Sequence, residues 1–249
     1  MSIEDQPGAL PRAAPVPEQP EIHHDHRDVS GGWLRPAVFG AMDGLVSNFA
    51  LVAGVAGGGA APRVVAFTGF AGLVAGAFSM GTGEYTSVAS QAEAAEAEIA
   101  VERAEILHAP EAEEAELAGV YRARGLDPQL AREVARQLST DPETAVRIHA
   151  REELGIDPDD LPSPYVAAGS SFAAFAAGAL VPLLPYLFGA HTLLWPLIFS
   201  MLGLFGTGAA VSRFTRRSAI FSGSRQLVLG AVAAGITFIV GSLIGTGIS

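Results

Sequence analysis

There is no cysteine and no lysine among the 249 residues. Without cysteine the chain has neither a disulfide framework nor thiolate metal ligands, so any metal must be held by oxygen, nitrogen or thioether. Without lysine, all 15 fixed positive charges are arginine, against 26 Asp and Glu. Charge of either sign is missing from four long stretches, residues 44–62, 64–83, 161–212 and 226–249. This pattern excludes an ordinary soluble protein, because about 20 apolar residues rising about 1.5 Å each already cross a hydrocarbon core of about 30 Å. Five spans are expected, at 34–57, 63–88, 164–188, 192–212 and 226–248. The uncharged run from Leu161 to Ser212 is long enough for two of them, with a turn at Gly189.

The net charge of −11 has one source. Residues 89–161 carry seven Arg and 18 Asp or Glu, whereas the rest of the chain has eight of each. The expected fold class is therefore an all-α membrane protein of five transmembrane helices, with a cytoplasmic acidic helical metal-binding domain inserted between helices 2 and 3. Four segments follow: a disordered tail at 1–32, helices 1 and 2 at 33–88, the acidic domain at 89–161, and helices 3 to 5 at 162–249. The acidic balance disfavours nucleic acid and anionic lipid and favours cations. The tail lacks a basic stretch followed by an apolar core, so it does not read as a cleaved signal peptide.

Arginine sets the orientation. Arg27 and Arg35 precede span 1, and Arg213, Arg216, Arg217 and Arg225 lie between spans 4 and 5, while the opposite face has Arg63. The positive-inside rule then puts the N-terminus and the acidic insert in the cytoplasm and the C-terminus outside. An Ala-, Gly- and Arg-rich chain without lysine suggests a bacterial plasma membrane.

The stretch "AFSMGTGEYTSVASQAEAAEAEIAVERAEI" joins membrane to insert. From Val64 to His108 there is no proline, and no glycine after Gly83. One helix of about 68 Å is expected, more than twice the bilayer core. Met80, Glu84, Ser87, Gln91, Glu98, Glu102 and Glu105 recur at steps of three, four or seven, which places them on one stripe. A solvated Ala/Glu helix is the plain explanation of such a run. Against it, a second helix from Pro110 carries Glu113 and Glu116 at i, i+3, and "DPETAVRIHAREELGI" carries His149 and Glu153 at i, i+4. Like charges at this spacing repel unless a cation lies between them. Oxygen ligands with one imidazole suit Fe2+, Mn2+ or Zn2+.

Asp43 lies inside span 1, where an ionised carboxylate costs around 2.5 to 3.5 kcal/mol unless it faces a bundle interior or an aqueous path. Gly40-x-x-x-Gly44 and Gly54-x-x-x-Gly58 allow another helix to approach the same span. If that helix belongs to a second copy, two Asp43 side chains face one another and couple to protons or a cation. Met80 and Glu84 add a thioether and a carboxylate near the cytoplasmic end of span 2, and Asn48 and Ser47 add neutral oxygens. Weaker features are "HHDH" at 23–26, interfacial Trp33 and Trp195, and prolines 182, 185 and 196, which are expected to kink spans 3 and 4.

The motifs "MDGLVSNFALVAGVAG", "AGAFSMGTGEYTSVASQ", "REELGID" and "RQLVLGAVAAGITFIVGSLIG" resemble the vacuolar iron transporter family, from Leu34 to the C-terminus. The resemblance implies a five-span homodimer that exports Fe2+ and in some members Mn2+ from the cytoplasm in exchange for protons, and the glycine pairs beside Asp43 point to pairing through transmembrane helix 1. It implies a vacuolar membrane if the source is eukaryotic. It also implies that Asp43 and Met80 lie on the translocation path, to which Glu84 and Asn48 are added from their positions, and that Glu102, Glu105, Glu113, Glu116 and Glu153 collect the metal. His149 stands where relatives often have methionine, and is taken as a further ligand. No catalytic residue and no prosthetic group is expected, the ion being substrate. The alternative is a membrane-anchored ferritin-like di-iron ferroxidase, which needs Glu-x-x-His on two helices; the predicted helices supply one, Glu105 to His108. A third possibility, an adaptor whose acidic domain docks a basic partner, leaves Asp43 unexplained.

Overall fold

The computed structural model describes residues 32–215 and 217–248. The tail, its "HHDH" cluster and Arg216 lie outside them. Among the described residues the chain is all-helical: α1 (Leu34–Gly57), α2 (Pro62–His108), α3 (Pro110–Ala123), α4 (Pro128–Leu138), α5 (Pro142–His149), α6 (Pro164–Leu180), α7 (Leu184–Leu187), α8 (Leu194–Thr215) and α9 (Ala219–Ile248). A π-helical turn, Ala150–Leu154, extends α5.

Helix starts follow local chemistry. Proline occupies the first turn of α2 to α7, where its missing N–H has no partner to lose. Asp127 caps α4 by accepting from Gln129 N at 2.8 Å, and Asp141 caps α5 by accepting from Thr144 N at 2.9 Å. Helix α4 is absent from the sequence reading, although its Asp-Pro start and its buried Ala131 and Ala135 at i, i+4 are the signal for it.

Among the described residues four helices are long and apolar enough to cross a membrane: α1, α2 in its first part, α8 and α9. The expected third span differs. Helix α6 is apolar but ends after 17 residues, followed by a turn and the short α7. Pro182 has no N–H to continue the ladder, so the helix breaks where a kink was expected. Pro196 sits in the first turn of α8, where it removes no helical hydrogen bond. Gly189, with φ +86°, makes the expected turn before α8.

Helix α1 is the hub, packed on α2, α6, α8 and α9. Both of its Gly-x-x-x-Gly pairs are used within the chain. Gly40 and Gly44 close on the backbone of Ser171 and Phe175 in α6, while Gly54 and Gly58 close on Thr237, Gly241 and Gly245 in α9. Helix α9 turns Val228, Leu229, Val232, Ile236, Ile239 and Leu243 outward, a continuous apolar face suited to lipid.

The second half of α2 carries the insert. Ile99 and Ile106 pack with Ala145, Val146 and Ala150, while Leu117 and Ala118 of α3 pack with Ala135 of α4 and Ile148 of α5. Two small cores thus fold three short helices against one rod.

Gly178 of α6 faces the backbone of Ala41, which cannot rotate away as a side chain can. Gly178→Ala is expected to destabilise the protein in detergent by about 1–3 kcal/mol. Gly169→Ala on the same helix, with nothing within 4 Å of its new Cβ, should leave the unfolding temperature close to wild type.

Candidate metal site in the acidic insert

The apolar stripe of α2 that faces the insert is interrupted by a carboxylate. Ile99, Glu102 and Ile106 fall at i, i+3 and i+7 and are all buried, with Glu102 at 7% exposure. On α5, His149 follows the packed Val146 and is fully buried. Hydrophobic packing therefore drives two polar groups towards each other in one seam.

Four of the six residues read as ligands meet there. His149 Nδ1 lies 2.8 Å from Glu102 Oε1, 3.0 Å from Glu153 Oε1 and 3.7 Å from Glu113 Oε2. One atom each from Glu102, Glu113 and His149 fits within 4.8 Å. Donors that share an ion at about 2.1 Å stand roughly 3 to 3.5 Å apart, and the 2.8 to 3.7 Å spacings about Nδ1 bracket that range. None of these approaches satisfies the ring as a hydrogen bond: Nδ1 and Nε2 of His149 and Oε1 of Glu102 are buried without an aligned partner. Unpaired buried polar atoms are costly, and a bound ion removes that cost.

The electrostatics agree. Burial, above all, raises the Glu102 carboxyl above its ordinary value; His149 opposes the shift, and Glu153, Glu113 and Glu105 reinforce it. Burial also raises Glu113, reinforced by Glu116 and Glu105, and raises Glu153, reinforced by Glu116 and Glu113, with His149 opposing both shifts. Glu105 and Glu116 are thus exposed residues near enough to act on the cluster without joining it at ligand spacing. No arginine pairs with Glu102, Glu113 or Glu153 among the described residues. Arg103, Arg124, Arg136 and Arg151 are held by Glu143, Glu152, Glu133 and Asp157 instead. The π-helical turn divides its two glutamates, Glu152 going to Tyr121 of α3 and to Arg124 just after it, and Glu153 to His149. Sequence spacing alone does not reveal that division.

The expected stripe on α2 is only partly a structural face. The residues turned inward run Gly81, Glu84, Val88, Ala92, Ala95, Ile99, Glu102 and Ile106, whereas Ser87, Gln91, Glu98 and Glu105 are exposed. Gln91 and Glu98 nevertheless line a cleft of about 460 Å³ between α2 and residues 155–162, which adds Asp157 and Asp160. The Glu105–His108 pair forms no centre, since exposed His108 sets its Nδ1 2.6 Å from the Ala104 carbonyl of its own helix.

In the apolar part the residues read as a path are placed separately. Met80 packs on Ala77, Phe175 and Ala179. Asp43 is half-buried beside Gly44, between exposed Phe39 and Ser47 one turn either way, and Ser47 Oγ donates to its carbonyl at 2.6 Å. Glu84 is half-buried on α2. Neither Asp43 nor Glu84 belongs to a cluster of three metal-binding side chains among the described residues. Asn48 is buried on another side of α1, about 140° from Asp43. Its Nδ2 donates at 2.6 Å to the Ala179 carbonyl, close to where Pro182 interrupts α6, and its Oδ1 has no partner.

Comparison with known proteins adds a separate line. The sequence profile of the VIT family matches residues 34–242. The chain is 37% identical over 225 residues to a vacuolar iron transporter of Acanthamoeba castellanii, covering 88% of this chain and 82% of that one. It is 30% identical over 244 residues to vacuolar iron transporter 1 of Arabidopsis thaliana, covering 96% and 97%, and 31% identical over 219 residues to vacuolar iron transporter 2 of rice, covering 87% and 89%.

The raised carboxyl groups fix a sign for pH. A carboxyl that binds its proton more tightly folded than unfolded adds stability below the ordinary glutamate value of 4.5, and that stability is lost as pH rises through the raised value. Hydrogen exchange of α3 to α5 in metal-free protein is therefore expected to slow as pH falls from neutral towards 4.5, after correction for the intrinsic rate. Glu102→Gln should reduce this dependence.

Proposed function

Because the chain belongs to the VIT family, we propose that it carries Fe2+ across a membrane, out of the cytoplasm, in exchange for protons, and accepts Mn2+ as well. The observation that carries this reading is one continuous helix, α2, bearing buried Glu102 in the acidic insert and Met80 among apolar helices. Twenty-two residues separate them, about 33 Å of rigid rod.

In this reading α6, the turn after it and α7 together make the fifth crossing. The N-terminus and the insert then share the cytoplasmic side and the C-terminus lies outside. Glu102, Glu113, Glu153 and His149 hold the partly hydrated ion, and Glu105 and Glu116 raise its local concentration. The open cleft beside Gln91 and Glu98 leads it back along α2 towards Glu84, Met80 and Asp43.

Two copies meet through the strip of α1 that carries Phe39, Asp43 and Ser47, which leaves the glycine pairs to their contacts within the chain. Such a contact gives Asp43 a polar counterpart in place of acyl chains, which a carboxylate avoids. Protonation of paired Asp43 carboxylates from the far side then displaces the ion. Exchange follows because one site does not hold both at once. The membrane is the plasma membrane in a bacterium and the vacuolar membrane in a eukaryote.

Reconstituted wild-type protein is expected to take up Fe2+ at a rate that rises with an imposed pH gradient, and Asp43→Ala to lose that gradient-driven uptake almost entirely. Uptake at the native rate by the variant would remove Asp43 from the mechanism.

A further inference from the structure

We infer that His149 is the metal-selecting ligand of the insert, the residue that sets its preference for divalent transition ions over Ca2+ and Mg2+; the inference rests on the collecting role proposed above. Every other donor at the site is a carboxylate oxygen, from Glu102, Glu113 or Glu153. Oxygen-only sites suit Ca2+ and Mg2+, which are abundant and hard. One imidazole changes the ranking, because nitrogen donors favour ions that rise along the series from Mn2+ through Fe2+ and Co2+ to Ni2+.

The structure sets the ring at ion-pairing distance from two carboxylates, Glu102 and Glu153, without committing it to either. A histidine kept for packing alone would leave two fully buried nitrogens unpaired, as these are. A histidine kept as the partner of one carboxylate would be aligned with it. Here Nδ1 stands at 2.8 and 3.0 Å from two carboxylates of different elements, α2 and the π-helical turn, and at 3.7 Å from a third on α3, with no aligned hydrogen bond. That is the placement of one donor among several around a shared centre. The ring is fully buried, one turn along α5 from Val146, which packs on the apolar stripe of α2.

The test uses the full chain in detergent, stripped of metal, with Co2+, Mn2+ and Ca2+ titrated in competition. His149→Gln keeps a neutral side chain of similar reach and offers an amide oxygen in place of nitrogen. Relative to wild type, the variant should lose on the order of tenfold in Co2+ affinity, less in Mn2+ affinity, and little in Ca2+ affinity, so that the Co2+ to Ca2+ ratio collapses. Wild-type protein carrying one Mn2+ should also show nitrogen-14 modulation in its electron spin echo, a signature of direct imidazole ligation. That signal needs no variant, so a variant that fails to fold does not leave the matter open. Bound Mn2+ without nitrogen modulation, or an unchanged Co2+ to Ca2+ ratio in folded His149→Gln, would overturn the inference while leaving a collecting site in place. Failure of wild-type protein to bind any of the three ions would overturn the collecting role and this inference with it.

Discussion

A carboxylate set into an apolar helix stripe is the constraint around which the insert is built. Glu102 sits between Ile99 and Ile106, and both isoleucines pack where α5 is seated on α2. Packing therefore cannot proceed without taking Glu102 out of water, and it brings His149 from the facing helix into the same seam. Burial and the neighbouring glutamates act in the same direction on Glu102, and no arginine pairs with it among the described residues. A proton or a cation relieves the conflict, so ion occupancy and the folding of the insert are physically linked.

The same helix joins the insert to the apolar helices. Helix α2 has 47 residues and meets α1 and α6 in its first part and α5 in its last. Its glycines lie in the apolar half, where Gly69, Gly72 and Gly76 clear the side chains of Leu183, Leu51 and Phe175. Beyond Gly83 the alanine- and glutamate-rich sequence favours a stiff helix. Side chains of neighbouring helices seated against these glycines anchor one end, and a small polar-centred core occupies the other. A rod of this kind couples the two regions without a hinge in between.

The fold was largely legible because its signals are local. Uncharged runs marked the spans, the absence of proline predicted one long helix, and Pro110 marked the start of a short one. The fifth crossing was less legible, since Pro182 reads equally as a kink or a break. Helix α4 escaped notice because its buried face is built of alanines, which give little hydrophobic contrast. Among the ligand candidates, spacing of three and four residues nominated six. It could not separate Glu102, Glu113, Glu153 and His149, which converge, from Glu105 and Glu116, which stay exposed. Periodicity names a face of a helix, and only the neighbouring helix decides which members of that face are covered.

The sequence by itself determined an all-helical chain with apolar crossings, an acidic segment between them and one helix spanning both, because hydropathy and breaker residues act over a few turns. Tertiary structure decided the rest. It turned the glycine pairs of α1 towards α6 and α9, committed the Asn48 amide to the Ala179 carbonyl, and gathered one nitrogen and three carboxylates from different elements around a single point. Those outcomes depend on which helices become neighbours, and on the cost of burying polar groups between them.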